Sequence, residues 1–314
     1  MALQMDFELT ADQLALRDAA RDLLDRAASP ERVRKVVDAG GGYDAELWSA
    51  MVEQGWTDPE FVGVVEAAVL LEEVGRHVAP APFLTQWLAA SNDITAVVWD
   101  REAPALYAPS ATHAIVRDGD VMRRVAITEP PRRESAMDRT REVGWLRDLD
   151  TAKGDVVCSA ADMLDRAAVA FAAELLGVGA RAMEMAVDYA KVREQFGHPI
   201  GSFQAVKHRC ADMLVDVEGM RSAVYWAAWC VGAGDADASI AASTAKAWCA
   251  DASKRVLASA LQVHGGIGFT WEHDLHLYLK RAQLDQVSFG DAAFHRDRLA
   301  SLLRDRVAAG ESVI

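Results

Sequence analysis

The strongest constraint on the fold is a long, regular spacing of apolar residues in the C-terminal half of the chain. From Leu164 to Tyr189 apolar side chains recur in alternating steps of four and three, and the rhythm returns from Phe203 to Val224 after the turn HPIGS. This spacing places the apolar residues on one face of an α-helix. Two long antiparallel helices are therefore predicted, followed by a third from about Ala236 to Leu261 and a fourth from about Leu275 to Val307 that breaks near Gly290. Four such helices pack as an antiparallel four-helix bundle.

The chain before the bundle divides into a helical part and a strand-rich part. Thr10 and Gln13 have the spacing of a capping box, which predicts a helix start, and further helical patterns cover 45–55 and 62–78. Between about Ile94 and Leu149 the sequence changes to short β-rich pieces separated by Gly, Pro and Asp. The prediction is a mainly α fold in three parts: an N-terminal helical domain over 1–93, a truncated middle β domain over 94–155 and the C-terminal bundle over 156–314.

Charge and cysteine usage narrow the class of protein. The formal net charge is -14, whereas nucleic acids are bound by clustered Lys and Arg, so no nucleic-acid partner is expected. No apolar run approaches the ~18 residues of a membrane-spanning helix, so no membrane partner is expected either. The start MALQMDFELT lacks the basic and apolar regions of a secretion signal, and the cysteines show no CxxC spacing. Both features predict a cytoplasmic protein with free thiols.

Two helix junctions in the predicted bundle carry residues that a plain helical core does not need. The first is the run VREQFGHPI with an FQ pair shortly after it, and the second is QVHGGIGF. The guanidinium of Arg193 in the first run is well suited to bidentate phosphate contacts. The pair Gly265 and Gly266 in the second lets backbone N–H groups approach an anion closely. Both junctions therefore offer groups that suit an anionic ligand.

In this order on a helical bundle, the two segments resemble the acyl-CoA dehydrogenase family. The resemblance implies FAD as the cofactor and a grip on an FAD that is held mostly by a neighbouring subunit. The cofactor-binding residues that it implies are Arg193, Gln195, Phe196, Phe203, Gln204, Gln262, Val263, Gly265 and Gly266. Simpler interpretations stay open, with Arg193 as a solvated arginine stabilised by the helix dipole and Phe196 as a core residue.

The resemblance covers most of the chain. The segment Leu70–Arg76 is similar to part of the family's N-terminal helical domain, and Met137–Arg141 resembles the D-x-T-R piece late in its middle domain. The implied reaction is α,β-dehydrogenation of a CoA thioester, in which a carboxylate removes the α-proton.

The expected positions of that carboxylate depart from the family pattern. Alignment places the commonest base position on Phe289, and the alternative position on the first bundle helix falls on Ala167. Neither side chain accepts a proton, so no catalytic residue is predicted in this chain. Asp291 and Glu174 are weak alternatives as base. Asp165 is the third carboxylate close to these positions. The simpler roles of the three are a helix N-cap for Asp291 and solvated helix positions for Glu174 and Asp165.

The missing base and the short β region resemble the shortened subunit of heterotetrameric (α2β2) acyl-CoA dehydrogenases from actinobacterial steroid breakdown. This implies a second acyl-CoA dehydrogenase-like subunit, a steroid-derived acyl-CoA substrate and electron-transfer flavoprotein as partners. Two other functions stay open: a self-sufficient homo-oligomeric dehydrogenase with a non-standard base, and a non-enzymatic scaffold subunit. His273 and His276, beside Asp274, lack a third convergent ligand, so no metal is predicted.

Overall fold

The computed structural model describes residues 8–311, and within that range the chain is mainly helical, as predicted. The helices are α1 Ala11–Ala27, α2 Pro30–Asp38, α3 Ala45–Glu53, α4 Val64–Arg76, α5 Phe83–Ala89, α6 Ala160–Val192, α7 Gln204–Ala233, α8 Ala238–His264, α9 Leu275–Val287 and α10 Ala292–Ala308. The strands are β1 Thr95–Val98, β2 Ala105–Leu106, β3 His113–Asp118, β4 Val121–Ala126, β5 Val143–Gly144, β6 Asp155–Ser159, β7 Glu194–Gln195 and β8 His198–Pro199.

Helix α1 begins at the predicted capping box. The Thr10 hydroxyl accepts a hydrogen bond from the Gln13 backbone N–H at 3.2 Å, and the Gln13 side-chain oxygen accepts one from the Thr10 N–H at 3.0 Å. The two bonds satisfy backbone donors that the first turn of a helix leaves without partners. Local sequence alone therefore fixes this helix start.

The middle of the chain folds into a small mixed sheet. Its strand order is β1-β3-β4-β6, with β1 parallel to β3 and the other neighbours antiparallel. The boundary expected at residue 155 falls on β6, so the sheet continues to Ser159. The hydroxyl of Ser159 also accepts from the Asp162 N–H and caps α6. One residue thus ends the sheet and starts the bundle.

The C-terminal half forms the predicted helices in the predicted order. Helix α6 lies at the centre and contacts α4, α7, α8 and α9. Its residues are almost continuously buried from Ala167 to Ala180. The fourth predicted helix is interrupted between Val287 and Ala292, where Gly290 has φ +99°. A glycine there adopts a conformation that other residues reach only with strain.

Reciprocal glycines set how the N-terminal helices dock on the bundle. A Cβ added at Gly177 of α6 would come 1.9 Å from the Glu72 carbonyl oxygen of α4. A Cβ added at Gly75 of α4 would come 2.2 Å from the Glu174 carbonyl oxygen of α6. The two helix backbones are therefore in direct contact, which only glycine at both crossing points allows.

In the part of the chain that the structure describes, no helix has both the length and the apolar character that crossing a bilayer requires. Cys158, Cys210, Cys230 and Cys249 are all free thiols.

Candidate functional site

The first junction is a hairpin that projects from the end of α6. Strands β7 and β8 pair around a two-residue turn of Phe196 and Gly197, whose φ angles are 55° and 81°. Two positive φ values match a type I′ turn, which favours Asn-Gly over a bulky first residue. The Phe196 side chain is 90% exposed, so its interpretation as a core residue is wrong. A large aromatic ring thus stands in solvent on a strained backbone.

Arg193 has a fixed backbone and a free side chain. Its N–H donates to the Tyr189 carbonyl at 2.8 Å, and its carbonyl accepts from the Ile200 N–H at 2.7 Å, which closes the base of the hairpin. The exposed guanidinium makes no ion pair or hydrogen bond with any residue in the range 8–311. Arg193 is the C-cap of α6, so the helix dipole also favours its positive charge.

The other predicted residues of the first junction surround this hairpin. Phe203 is the N-cap of α7, is 39% exposed, and meets Phe196 edge to face at 6.2 Å between ring centroids. Gln204 is exposed in the first turn of α7. The Gln195 amide donates to the Glu194 carbonyl at 2.7 Å and is exposed as well.

The second junction begins where α8 ends. Gly265 has φ 62° and ψ −141°, and a Cβ added at Gly265 or Gly266 would meet no atom within 4 Å. Gln262 is exposed, whereas the Val263 side chain is buried in the core. The glycine pair therefore presents bare backbone to an open space, as an anion cradle requires.

Ring stacking brings the two junctions together. The Tyr189 ring, one helical turn before Arg193, stacks on the His264 ring at 4.8 Å between centroids with planes 22° apart. His264 immediately precedes Gly265, and its other neighbour is the His273 ring at 4.4 Å. Sequence reasoning missed Tyr189 and His264 as site residues. The only signal for His264 was its place inside the second motif.

The two junctions fit the diphosphate of a dinucleotide such as FAD. A free guanidinium supplies charge and a planar fork of donors, and an open glycine pair supplies backbone donors. Exposed aromatic rings flank both junctions, with Phe269 at 73% and Trp271 at 59% exposure beside the glycines. Such rings suit apolar contacts with a cofactor or a partner chain.

The expected base position is filled by an aromatic cluster. Phe289 lies with its ring centroid 5.6 Å from that of Phe171 on α6 and 5.9 Å from that of Trp99 after β1. The three rings line a cavity of about 470 Å³ between the sheet and the bundle. Ala167, the alternative base position, is fully buried in α6. Neither position provides a proton acceptor.

Hydrogen bonds from two buried side chains fix the turn that carries Phe289. Buried Lys246 donates to the carbonyls of Gln286 at 3.0 Å and Gly290 at 2.9 Å, and burial lowers the pKa of this lysine to about 8. Burial lowers the pKa of His295 to about 4, so its neutral ring donates to the Phe289 carbonyl at 3.0 Å. These contacts keep Phe289 at φ 55°.

Asp291, the first weak alternative as base, has a structural role. Its side chain accepts from the Phe294 N–H at 2.9 Å and caps α10, the role that its position after Gly290 predicts. A carboxylate committed to a helix N-cap is oriented toward backbone donors rather than toward a ligand.

The prediction that Glu174 and Asp165 are solvated is wrong. Glu174 is 1% exposed and pairs with the Arg281 guanidinium at 2.8 Å, within a buried network that includes Arg141. Asp165 is 7% exposed and pairs with Arg298 at 2.6 Å. Both carboxylates are buried because arginines distant in sequence neutralise them.

The histidines considered for a metal site have other neighbours. Within residues 8–311 no group of three or more His, Cys, Asp or Glu side chains is placed to hold a metal ion. His273 packs on His264, and His276 packs on Trp271 at 4.5 Å between centroids.

Comparison with known proteins gives a consistent family assignment. The family model "Acyl-CoA dehydrogenase, C-terminal domain" matches residues 158–303. Acyl-CoA dehydrogenase IpdE2 of Mycobacterium tuberculosis is 34% identical over 295 residues, which cover 85% of this chain and 89% of that protein.

Solved structures share the whole fold. A steroid acyl-CoA dehydrogenase variant, Tcur3481-Tcur3483, superposes with a TM-score of 0.84 at 25% identity, covering 95% of this chain and 99% of that chain. A chain of the ChsE4-ChsE5 complex from Mycobacterium tuberculosis superposes with a TM-score of 0.83 at 24% identity, covering 96% of this chain and 99% of that chain. The predicted overall architecture is thereby confirmed.

Proposed function

The chain belongs to the acyl-CoA dehydrogenase family, and from that premise we propose that it is one subunit of a heteromeric, FAD-dependent acyl-CoA dehydrogenase. In this assembly the chain contacts the cofactor across a subunit interface, and the partner subunit supplies the catalytic base. When bound, FAD supplies the hydride acceptor for α,β-dehydrogenation of an acyl thioester. The residues of this chain bind and orient it.

The observation that carries the proposal is the free guanidinium of Arg193 at the first junction together with the open pair Gly265 and Gly266 at the second. A buried or paired arginine would have a structural explanation, but this one has no partner within the described chain. The Tyr189–His264 stack joins the end of α6, which carries Arg193, to the end of α8, which precedes Gly265. Phe196, Phe203, Gln195, Gln204 and Gln262 are exposed around them and complete the proposed cofactor contacts. Val263 supports the cradle from the core.

We infer from the surroundings of the candidate residues that none of them acts as the base. Removal of an α-proton needs a carboxylate with a free oxygen near the substrate. Phe289 has none, Asp291 caps a helix, and Glu174 is buried in an ion-pair network. The partner subunit therefore supplies the base in our proposal.

A partner chain also suits the surface around the junctions. Val192, Phe196, Phe269 and Trp271 are each more than half exposed. Clusters of exposed apolar residues mark sites where another protein or a ligand binds. Two structural neighbours are named as pairs of different chains, ChsE4-ChsE5 and Tcur3481-Tcur3483. We propose an α2β2 assembly on this basis.

The substrate class rests on the relatives. A neighbour at 25% identity is named a steroid acyl-CoA dehydrogenase. We therefore propose a steroid-derived acyl-CoA as the substrate. Electron-transfer flavoprotein is our proposal for the acceptor of the electrons, supported by the family resemblance.

Replacing one arginine tests the cofactor role. The variant Arg193→Ala, expressed together with the partner subunit, should lose FAD affinity by roughly tenfold or more, because a charge-assisted phosphate contact contributes about 1.5–3 kcal/mol. Flavin content is measured by absorbance after gel filtration of the complex. The control is Arg304→Ala, since Arg304 is also exposed and has no ion pair within the described residues. Unchanged FAD content in Arg193→Ala would contradict the proposal and favour a scaffold role.

A further inference from the structure

Among the described residues, the stack of Tyr189 on His264 is the only contact between aromatic rings that joins the two junctions, and His273 lies against His264 with its ring tilted by 60°. Tyr189 lies on α6 one turn before Arg193, and His264 is the last residue of α8 before Gly265. The backbone of each junction continues directly from a stacked ring. A shift of either ring would therefore move the guanidinium and the glycine pair relative to each other.

Hydrogen bonding fixes the tautomer of His264. Its Nδ1 lies 2.8 Å from the Ala260 carbonyl oxygen, and a carbonyl only accepts, so Nδ1 carries the proton. Its Nε2 is buried and has no hydrogen-bond partner within residues 8–311. In the neutral ring this nitrogen is a bare lone pair, which tolerates an apolar aromatic neighbour. In the protonated ring it would be a buried N–H without an acceptor.

His273 is placed so that it also remains neutral. Its Nδ1 accepts from the Leu275 backbone N–H at 3.2 Å, so its proton is on Nε2. Burial lowers the pKa of both rings, and for His273 the neighbouring His264 lowers it further. Asp274 favours the charge on His273 and Arg34 opposes it, but these two groups are themselves paired at 2.6 Å.

Building on the proposed cofactor role of the junctions, we propose that His264 is a positioning residue. Its neutral ring, held between Tyr189 and His273, sets the spacing between Arg193 and the glycine pair that a diphosphate requires. Protonation of His264 would place a cationic ring between Tyr189 and His273, 4.4 Å from the His273 centroid, and would leave an unpaired N–H in the interior. The stack should then open, and the cofactor should dissociate in acid.

Two substitutions at His264 distinguish the contribution of the aromatic ring from that of its titratable nitrogen. His264→Ala removes the ring and should weaken FAD binding to the heteromeric complex by roughly tenfold or more even at about pH 8, because a displacement of ~1 Å disrupts an oriented site. His264→Phe keeps the ring but cannot be protonated. It should bind FAD nearly as wild type at about pH 8. Because burial lowers the pKa of His264, FAD affinity is followed through the acid range below the ordinary histidine pKa of about 6.5, and there His264→Phe should lose much less affinity than wild type.

The matched control is His295→Phe, because His295 is also buried with an unpartnered ring nitrogen but lies at the Phe289 turn. FAD affinity is followed by flavin fluorescence, and the melting temperature of the FAD-free complex is recorded for each variant. We expect His295→Phe to lower the melting temperature without changing FAD affinity or its pH dependence.

Several results would overturn the inference. Wild-type FAD affinity in His264→Ala would show that the ring does not position the cradle. An equal loss in His264→Phe and His264→Ala at about pH 8, or an unchanged acid sensitivity in His264→Phe, would contradict it as well. If Arg193→Ala loses FAD but His264→Ala does not, only this inference fails. If Arg193→Ala keeps its FAD, the proposed function fails.

Discussion

At the residue scale, Phe196 has a left-handed backbone conformation that a bulky side chain disfavours. Some other requirement must therefore keep a phenylalanine at this position. A left-handed conformation costs a bulky residue about 1–2 kcal/mol, and asparagine adopts it more readily at this turn position. The ring makes no buried contact that offsets this cost, since it is 90% exposed. We infer that the ring is retained for its contact with the cofactor or the partner chain.

Phe196→Asn should therefore stabilise the isolated chain and weaken the assembly. We expect the free energy of unfolding in urea to rise by about 1 kcal/mol, while the FAD content of the heteromeric complex falls. Phe269→Asn is the control, because Phe269 is also exposed but has no positive φ. If Phe196→Asn unfolds no later in urea than wild type, the strain argument is wrong.

Single residues were predictable from sequence only where their partners are near in the chain. The Thr10 capping box and the Asp291 cap follow from neighbours three residues away. Glu174 and Asp165 were mispredicted because Arg281 and Arg298, which neutralise them, lie more than 100 residues further on. The spacing of residues along one helix does not reveal an ion pair with a distant helix. A charged residue within a helix is therefore predicted to be solvated.

At the element scale, the contact between α4 and α6 determines how the N-terminal helices meet the bundle. The crossing depends on Gly75 and Gly177, where an added Cβ would lie within about 2 Å of the opposite backbone. A backbone oxygen cannot move aside as a flexible side chain does, so the helices would have to separate.

Gly177→Ala should destabilise the chain by more than about 3 kcal/mol, because it overpacks a buried backbone contact. Gly179→Ala, two residues along the same helix, should instead stabilise it by about 0.5–1 kcal/mol through helix propensity. A Cβ there would meet Met220 at an ordinary 3.6 Å. The melting temperatures of both variants are compared by thermal unfolding. Equal melting temperatures would contradict the claim that the α4–α6 contact requires glycine at position 177.

The elements themselves were largely predictable, but their mutual placement was not. The spacing of apolar residues located α6 to α10, because a buried helix face repeats along the chain itself. The domain boundary predicted at residue 155 cuts through strand β6, since the pairing of β6 with β4 depends on residues more than 30 positions earlier. The Tyr189–His264 contact likewise joins helices that only the folded bundle brings together.

At the scale of the whole molecule, the two junctions and the cavity beside Phe289 bear on the proposed assembly of unlike subunits. The cavity beside Phe289 is lined by aromatic rings where the family resemblance puts a carboxylate, whereas the two junctions at the ends of α6 and α8 remain open. In our proposal, the end of the molecule that carries these junctions contacts the cofactor of a neighbouring subunit. The three-part domain division, with the sheet extended to Ser159, stays our proposal.

Turnover of the assembled enzyme should not depend on Asp291. Asp291→Asn keeps a good helix N-cap but removes the charge, so stability is preserved while a base would be lost. We expect acyl-CoA turnover by the heteromeric complex to stay within about twofold of wild type. A fall of roughly a hundredfold, the contribution of a general base, would support a self-sufficient dehydrogenase instead.

The most direct test of the central claim is a structure of the heteromeric complex with FAD bound. In that structure we expect the Arg193 guanidinium within about 3 Å of a diphosphate oxygen, the backbone of Gly265 and Gly266 against the same group, and the flavin bound mostly by the partner subunit. Both junctions facing open solvent, with the dinucleotide bound elsewhere, would contradict it.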